Sequence, residues 1–280
     1  MKIYRISNLA EYKNFSERTG SAYAAHSQFL QSLLPAVERD FTFKGYSYTA
    51  EKEVDFQADF ISSAGYPEVN WRERVICPVT GLNNRIRASL HIFDLFSNTY
   101  VSDSVYIMEQ TTMQYRYLKE KYPKLIGSEY LGDAVPLGTD DTRGIRNEDA
   151  TMLTFGNESL ASILSFDVFE HIFNYKAAFR ECFRVLKPGG TLIFTVPFDV
   201  NADGNLERAT ILENGELHHI LPPEYHGDPL SKDGVLCFRY YGWNMLDELK
   251  RIGFREAVGL IFNSEKMGYF TNQIIFYCKK

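Results

Sequence analysis

Cysteine is scarce in this chain. Its four cysteines, Cys77, Cys182, Cys237 and Cys278, stand far apart and no two form a CxxC pair. That spacing points away from a disulfide framework and toward four reduced, mostly buried thiols, as in a cytosolic protein. Long apolar runs are also missing. No stretch approaches the roughly 18 apolar residues of a membrane span. The N-terminal MKIYRISNLAEYKNF has no signal-peptide core. Both absences lead to the expectation of a cytoplasmic location. Blocks of like charge are absent as well. With 36 acidic residues against 30 Lys and Arg, the net charge is −6. The concentrated basic surface that non-specific nucleic-acid binding requires is therefore not expected. Internal repeats and low-complexity segments are also lacking.

The 280 residues suffice for one large domain, or for a domain with a small N-terminal addition. Apolar and charged fractions of 45% and 24% are those of an ordinary globular protein. The 21 Phe and 18 Tyr suit a large core and a pocket for flat ligands.

Residues 1 to about 40 read as helix. Ala22, His26, Phe29, Leu30, Leu33 and Leu34 form one apolar stripe, which Pro35 interrupts. This is a packing helix in the simpler reading and a substrate lid in the other. FTFKGYSYTAEKEVDF (41–56) alternates as a hairpin does. A helix with Ile86, Leu90, Phe93 and Phe96 on one face follows.

From about residue 101 short apolar runs alternate with helical stretches, the pattern of βαβ units. Strands are expected at 104–109, 124–129, 145–149, 161–167 and 191–196, with helices at 112–122 and 174–186. The polar segment 198–238 is too long for a structureless loop, so it is functional or holds small elements of its own. A helix at 241–252 and strands at 257–263 and 272–278 close the chain. The expected division is a helical and hairpin extension over 1–100 and an α/β domain over 101–280.

SILSFDVFEHIFNYKAAFRECFRVLKPGGTLIFTVPF (162–198) resembles the class I S-adenosylmethionine-dependent methyltransferases, of the methyltransferase type 11 kind. It carries their post-strand FDVFEH, their helix ending RVLKPGG, and a next strand ending in Pro. The resemblance implies a doubly wound, mostly parallel, seven-stranded Rossmann-like sheet with ligands at its carboxyl edge. It also implies S-adenosyl-L-methionine as cofactor. Glu129 falls where the family's acid accepts the ribose hydroxyls, and Asp149 where an acid accepts from the adenine amino group. Met152 or Leu153 would lie against the adenine. Tyr130, Ala150, Ser165, Phe166 and Asp167 complete the expected cofactor contacts.

One element of the family pattern is missing. Where the family has a glycine-rich loop after its first strand, this chain has Met108 to Tyr115 without a glycine. Either Glu109, Gln110 and Thr111, with Thr112, replace the backbone contacts, or the cofactor does not bind. The hairpin GYSYTAEKEV and the later CPVTG resemble a worn zinc knuckle. Ser47, Ala50 and Thr80 stand where thiolates would be needed, and only Cys77 remains. No structural zinc is expected from that set.

The segment after the fifth strand borders the substrate in this fold. It contains ELHHILPPEYHGDP, and a histidine is suited to removing a proton near neutral pH. His226, oriented by Glu224 or Asp228, is the first candidate base; His219 and His171 follow. Backbone-capping roles for these histidines are the plain alternative. Arg239, Tyr240, Tyr241 and Trp243 are read as pocket wall or as core. No metal ligand set is expected. The expected function is methyl transfer to a small polar metabolite at oxygen or nitrogen. The alternative is a catalytically divergent protein of the same fold that binds another ligand or acts as a binding or regulatory module. The expected partner is a small-molecule substrate, with neither nucleic acid nor membrane; the assembly left open is a homodimer.

Overall fold

A computed structural model describes the backbone of residues 1–280 and the side chains of all but Ser21 and Tyr23. The chain divides into two compact units. One comprises residues 1–6, 10–96 and 259–275; the other comprises 7–9, 97–258 and 276–280.

In the first unit, β1 (Tyr4–Ile6) precedes α1 (Leu9–Ser32), which stops three residues short of Pro35. The alternation at 41–58 becomes the hairpin β2 (Phe41–Ser47) and β3 (Lys52–Ala58), with β4 (Val75–Ile76) beside it. Phe29, Leu30 and Leu33 of the N-terminal segment pack on Phe43, Phe56, Val75 and Phe270. The stripe thus packs on the hairpin of its own unit, whereas a helix covering the α/β domain is the simpler expectation from sequence. In α2 (Asn84–Phe96), Ile86, Leu90 and Phe93 are buried as their spacing requires.

Three of the four positions of the worn knuckle, Ser47, Cys77 and Thr80, converge, joined by Thr49 and not by Ala50. Ser47 Oγ lies 3.3 Å from Cys77 Sγ, and Thr49 Oγ1 lies 3.3 Å from both Ser47 Oγ and Thr80 Oγ1. Burial pushes the Cys77 thiol up, but hydrogen bonds with Ser47 and Thr80 outweigh it and hold the thiol below its ordinary value. Hydroxyls and one thiol thus bind one another where a knuckle would place thiolates.

The second unit is built on β5 (Val105–Ile107), β6 (Ile126–Gly127), β7 (Leu160–Phe166) and β8 (Leu186–Thr195), which pair in parallel. All three residues of β5 are buried, as expected of a strand covered on both faces. α3 (Met113–Lys121) connects β5 to β6, and α4 (Tyr175–Val185) connects β7 to β8. Side chains close both helix starts: Thr112 accepts from Tyr115 N and Asn174 from Ala177 N. In the KPGG turn, a Cβ on Gly190 would meet the carbonyls of Ala161 and Lys187 at 3.0 and 2.9 Å, so only glycine fits.

The strand expected at 145–149 is reduced to a single bridge, Glu129 with Asn147. The reason is local. Asp141 Oδ1 accepts from the N–H groups of Arg143 and Ile145 and folds 140–146 back on itself. The segment 198–238 holds small elements. β9 (Leu206–Glu207) pairs with β14 (Arg239–Tyr240), β10 (Ala209–Ile211) with β11 (Leu217–His219), and β12 (Tyr225–Asp228) with β13 (Ser231–Leu236). α5 (Asn244–Ile252) ends at Gly253, whose φ is +131°.

β15 (Glu256–Ser264) and β16 (Tyr269–Lys279) complete a seven-stranded mixed sheet of order β1-β15-β16-β8-β7-β5-β6. Its parallel half, β8-β7-β5-β6, is the doubly wound part that the sequence pattern implies. β16 joins antiparallel to β8, and β1 antiparallel to β15. The seventh strand is thus β1, in place of the curtailed strand at 145–149. Among the described residues, no helix is long and apolar enough to cross a membrane.

Candidate functional site

β6 and β7 flank β5 on opposite sides, so the chain switches direction across the sheet at the carboxyl end of β5. Open α/β sheets bind ligands in the crevice at such a point. Glu109 to Thr111, Glu129 and Asp167 all lie just past the carboxyl ends of these parallel strands, and Glu148 N bonds to Glu129 O at 3.1 Å.

The bend after β5 is closed by side chains in place of glycine. Glu129 Oε1 accepts from Gln110 N at 2.7 Å, from Thr111 N at 2.9 Å and from Thr111 Oγ1 at 2.8 Å. Gln110 reaches further: its Nε2 donates to Gly144 O and its Oε1 accepts from Arg146 N, each at 2.8 Å. Glu109 is buried, with Gln114 Nε2 donating to its Oε2. A Cβ on Gly127 would meet the Tyr115 ring at 2.5 Å and Glu109 O at 2.7 Å, so the bend lies directly on β6.

The two acids of the cofactor reading share one feature. Every hydrogen bond of the Glu129 side chain falls on Oε1. Both bonds to the Asp149 side chain, from Thr151 N and Oγ1 at 2.7 Å, fall on Oδ1. With one oxygen Glu129 holds the bend after β5 and Asp149 its own loop, and the hydrogen bonds leave Oε2 and Oδ2 for another donor. Next to them stand two large exposed side chains, Tyr130 at 65% and Met152 at 62%. Leu153 is in the core, which leaves Met152 as the residue able to cover a flat ring. Two carboxylate oxygens of this kind are acceptors that suit the hydroxyl and amino donors of a nucleoside. Ala150 is half-buried, while Ser165 and Phe166 are buried within β7. Asp167, at φ +55°, accepts from Thr195 Oγ1 at 2.7 Å.

A second group lies one step past β7. Glu170 and His171 sit in the 3-10 turn Phe169–His171, and β12 brings His226 against them. The His171 and His226 rings are 5.0 Å apart and nearly perpendicular. Glu224 orients His226, its Oε1 lying 3.0 Å from Nε2 and accepting from Tyr240 Oη at 2.5 Å; Asp228 instead accepts from Leu230 N. His219, the second candidate base, is exposed in the β10–β11 ribbon and takes no part in this group. Burial pushes the Glu170 carboxyl up. The Cys237 sulfur and the Glu170 and Glu224 carboxylates raise the His226 imidazole to about 11.

Arg239 fixes the turn: its guanidinium donates to Ile172 O at 2.6 Å and Phe173 O at 2.9 Å, and pairs with Glu207 at 3.1 Å. Arg239, Tyr241 and Trp243 are core, so their role is to position and not to line. Glu170 and Cys237 were not singled out by sequence reasoning. The signal for Glu170 was its place in FDVFEH, directly before a histidine. Cys237 offered none, because β13 and β14 bring it in from a distant part of the chain.

A family model described as a methyltransferase domain matches residues 111–194, from the bend after β5 to the penultimate residue of β8. Over residues 111–194 the chain is similar to a methyltransferase domain. The matched segment holds Thr111, Glu129, Asp149, Asp167, Glu170 and His171, while His226 comes from the insert beyond it. Solved structures similar to the chain include an S-adenosylmethionine-dependent methyltransferase from Mesorhizobium loti, 15% identical, covering 69% of this chain and 96% of that one, with a TM-score of 0.40. Streptomyces venezuelae DesVI is 14% identical over 70% and 91%, with a TM-score of 0.42. Burkholderia thailandensis 1,6-didemethyltoxoflavin-N1-methyltransferase is 11% identical over 70% and 78%, with a TM-score of 0.40. No curated protein matches the chain. The doubly wound fold itself is given by the strand order and the parallel registers of β5 to β8.

Proposed function

We propose that this chain transfers a methyl group from S-adenosylmethionine to an oxygen or nitrogen of a small polar metabolite. The observation that carries the reading is the division of labour in the two acids. Glu129 anchors the 110–111 bend through Oε1 and Asp149 its own loop through Oδ1, and each has a second oxygen at the carboxyl edge of the sheet.

Glu129 Oε2 would accept the ribose hydroxyls, and Asp149 Oδ2 the adenine amino group. Tyr130 and Met152 would cover the adenine, and the 109–111 bend with Asp167 would border the rest of the donor. When bound, the donor supplies an electrophilic methyl on a sulfonium. The chain's own task is then alignment of the acceptor and control of its proton. His171 and His226, on the insert side of the edge, would face an acceptor. The net charge of −6 supports a small-molecule acceptor over nucleic acid.

The test is label transfer. The full chain is incubated with methyl-labelled donor and a panel of small hydroxyl and amine metabolites. Label in at least one product, absent without protein, supports the reading. Donor binding without transfer to any member of a broad panel would favour the second reading, a divergent binding protein of the same fold. That reading draws on the glycine-free bend, whose Gln110 side chain is committed to Gly144 and Arg146.

A further inference from the structure

We infer that Glu170, His171 and His226 form a binding site for one divalent transition-metal ion. A carboxylate oxygen of Glu170, Nε2 of His171 and a ring nitrogen of His226 converge within 4.8 Å of one another. Glu170 Oε1 lies 3.6 Å from His171 Nε2 and 3.4 Å from His226 Nδ1. The Glu170 side chain is wholly buried, yet neither oxygen makes a hydrogen bond. A carboxylate left in that state is costly unless a positive charge meets it.

The two rings are held from behind. His171 Nδ1 lies 2.8 Å from Leu236 O, a carbonyl that can only accept. The ring proton therefore sits on Nδ1, and Nε2 turns a lone pair toward Glu170. His226 Nε2 lies 3.0 Å from Glu224 Oε1, which turns Nδ1 toward the same Glu170 carboxylate at 3.4 Å. A divalent cation among these three groups would be ligated by the carboxylate and by both rings. A carbonyl behind one ligand and a carboxylate behind the other is the outer-shell arrangement that orients histidines on metals.

The outer set Glu224, His226 and Cys237 also lies within 4.8 Å. Its atoms are engaged, however: Glu224 Oε1 accepts from Tyr240, and Cys237 Sγ donates to Arg239 O at 3.3 Å. Two imidazoles and one carboxylate suit zinc or cobalt(II), with a fourth position left for water or an oxygen ligand. Magnesium and calcium prefer all-oxygen sets.

The site is independent of the methyl donor, so its test uses neither donor nor turnover. The full chain, stripped with a chelator, is titrated with Co²⁺ and Zn²⁺ by calorimetry and by the ligand-field absorption of Co²⁺. One Co²⁺ per chain, displaced by Zn²⁺ and not by Mg²⁺, is expected. Glu224→Gln should weaken binding by about 10- to 100-fold through the outer shell. Glu170→Gln and His226→Gln should weaken it further, while His219→Gln and Cys237→Ser bind as wild type. Should Glu170→Gln fail to fold by circular dichroism, His226→Gln decides, since that side chain is 28% exposed. Three results overturn the site: no stoichiometric binding by wild type, unchanged binding in His226→Gln, or binding lost in Cys237→Ser and kept in His171→Gln.

Discussion

Glu129 holds Thr111 by two bonds to one carboxylate oxygen, from the backbone N–H at 2.9 Å and from the hydroxyl at 2.8 Å. A bend without glycine is thereby fixed by a residue that is also the expected ribose ligand. The two duties can be separated by mutation. Thr111→Val removes only the hydroxyl bond, so stability should fall by about 1 kcal/mol with nucleoside affinity little changed. Glu129→Ala removes the anchor and the free oxygen together. Both stability and affinity should fall, affinity by at least about tenfold. Urea unfolding and calorimetric titration of each variant check this. Equal losses of affinity in the two would show that only loop order matters.

Gly127 carries the close approach between that bend and β6. A methyl there would lie 2.7 Å from Glu109 O, a backbone atom that cannot swing away. Gly127→Ala should destabilise the chain by about 1–3 kcal/mol as overpacking does. It should also weaken nucleoside binding, because the bend must move. A thermal melt within about 1 °C of wild type would count against this packing.

Arg87 is fully buried in the first unit, and carbonyls hold it: Met267 O at 3.0 Å, Gly268 O at 3.2 Å and Val75 O at 3.4 Å. The guanidinium also lies 4.1 Å over the Phe56 ring, and burial lowers its pKa to about 10. Arg87→Met leaves those carbonyls unmet and should cost about 3 kcal/mol. Arg87→Lys should recover less than half of the loss, since one ammonium cannot span three acceptors. Denaturant melts of the two variants decide, and a neutral Arg87→Met would contradict the assignment.

His91 sets an acid limit on stability. It stacks on Tyr48 at 3.8 Å, with Nδ1 3.2 Å from Tyr269 Oη, and burial lowers its pKa to about 4, against a weaker pull from Asp94. The native chain therefore keeps His91 neutral at pH values where the unfolded chain protonates it. Its contribution is complete above about pH 6.5 and is lost as pH falls toward about 4, at about 1.4 kcal/mol per unit. Wild type should lose about 2 kcal/mol more than His91→Gln between about pH 6.5 and about pH 5 in urea unfolding. Parallel curves for the two would contradict the burial argument.

The parallel half of the sheet was legible because its strands are bounded by local signals: the FDVFEH turn, the KPGG reversal and the helical periods between them. The strand at 145–149 misled, because nothing local in Ile145–Asp149 reveals that Asp141 caps Ile145 and folds the segment back. The knuckle-like positions were readable from spacing, and Ser47 and Cys77 do meet. The cluster around Glu170 was half legible. His171 and His226 stood out as histidines, whereas Cys237 and the Arg239 clamp depend on ribbon pairings between residues too far apart in sequence for any period to register.

The central claim is that the edge formed by Glu129 and Asp149 takes a nucleoside-bearing methyl donor. Isothermal titration of S-adenosylhomocysteine into the wild-type chain tests it most directly, with Asp149→Ala alongside. One saturable site per chain, weakened at least about tenfold in the variant, is the predicted result. No measurable binding by wild type, or binding that the variant leaves unchanged, would contradict it.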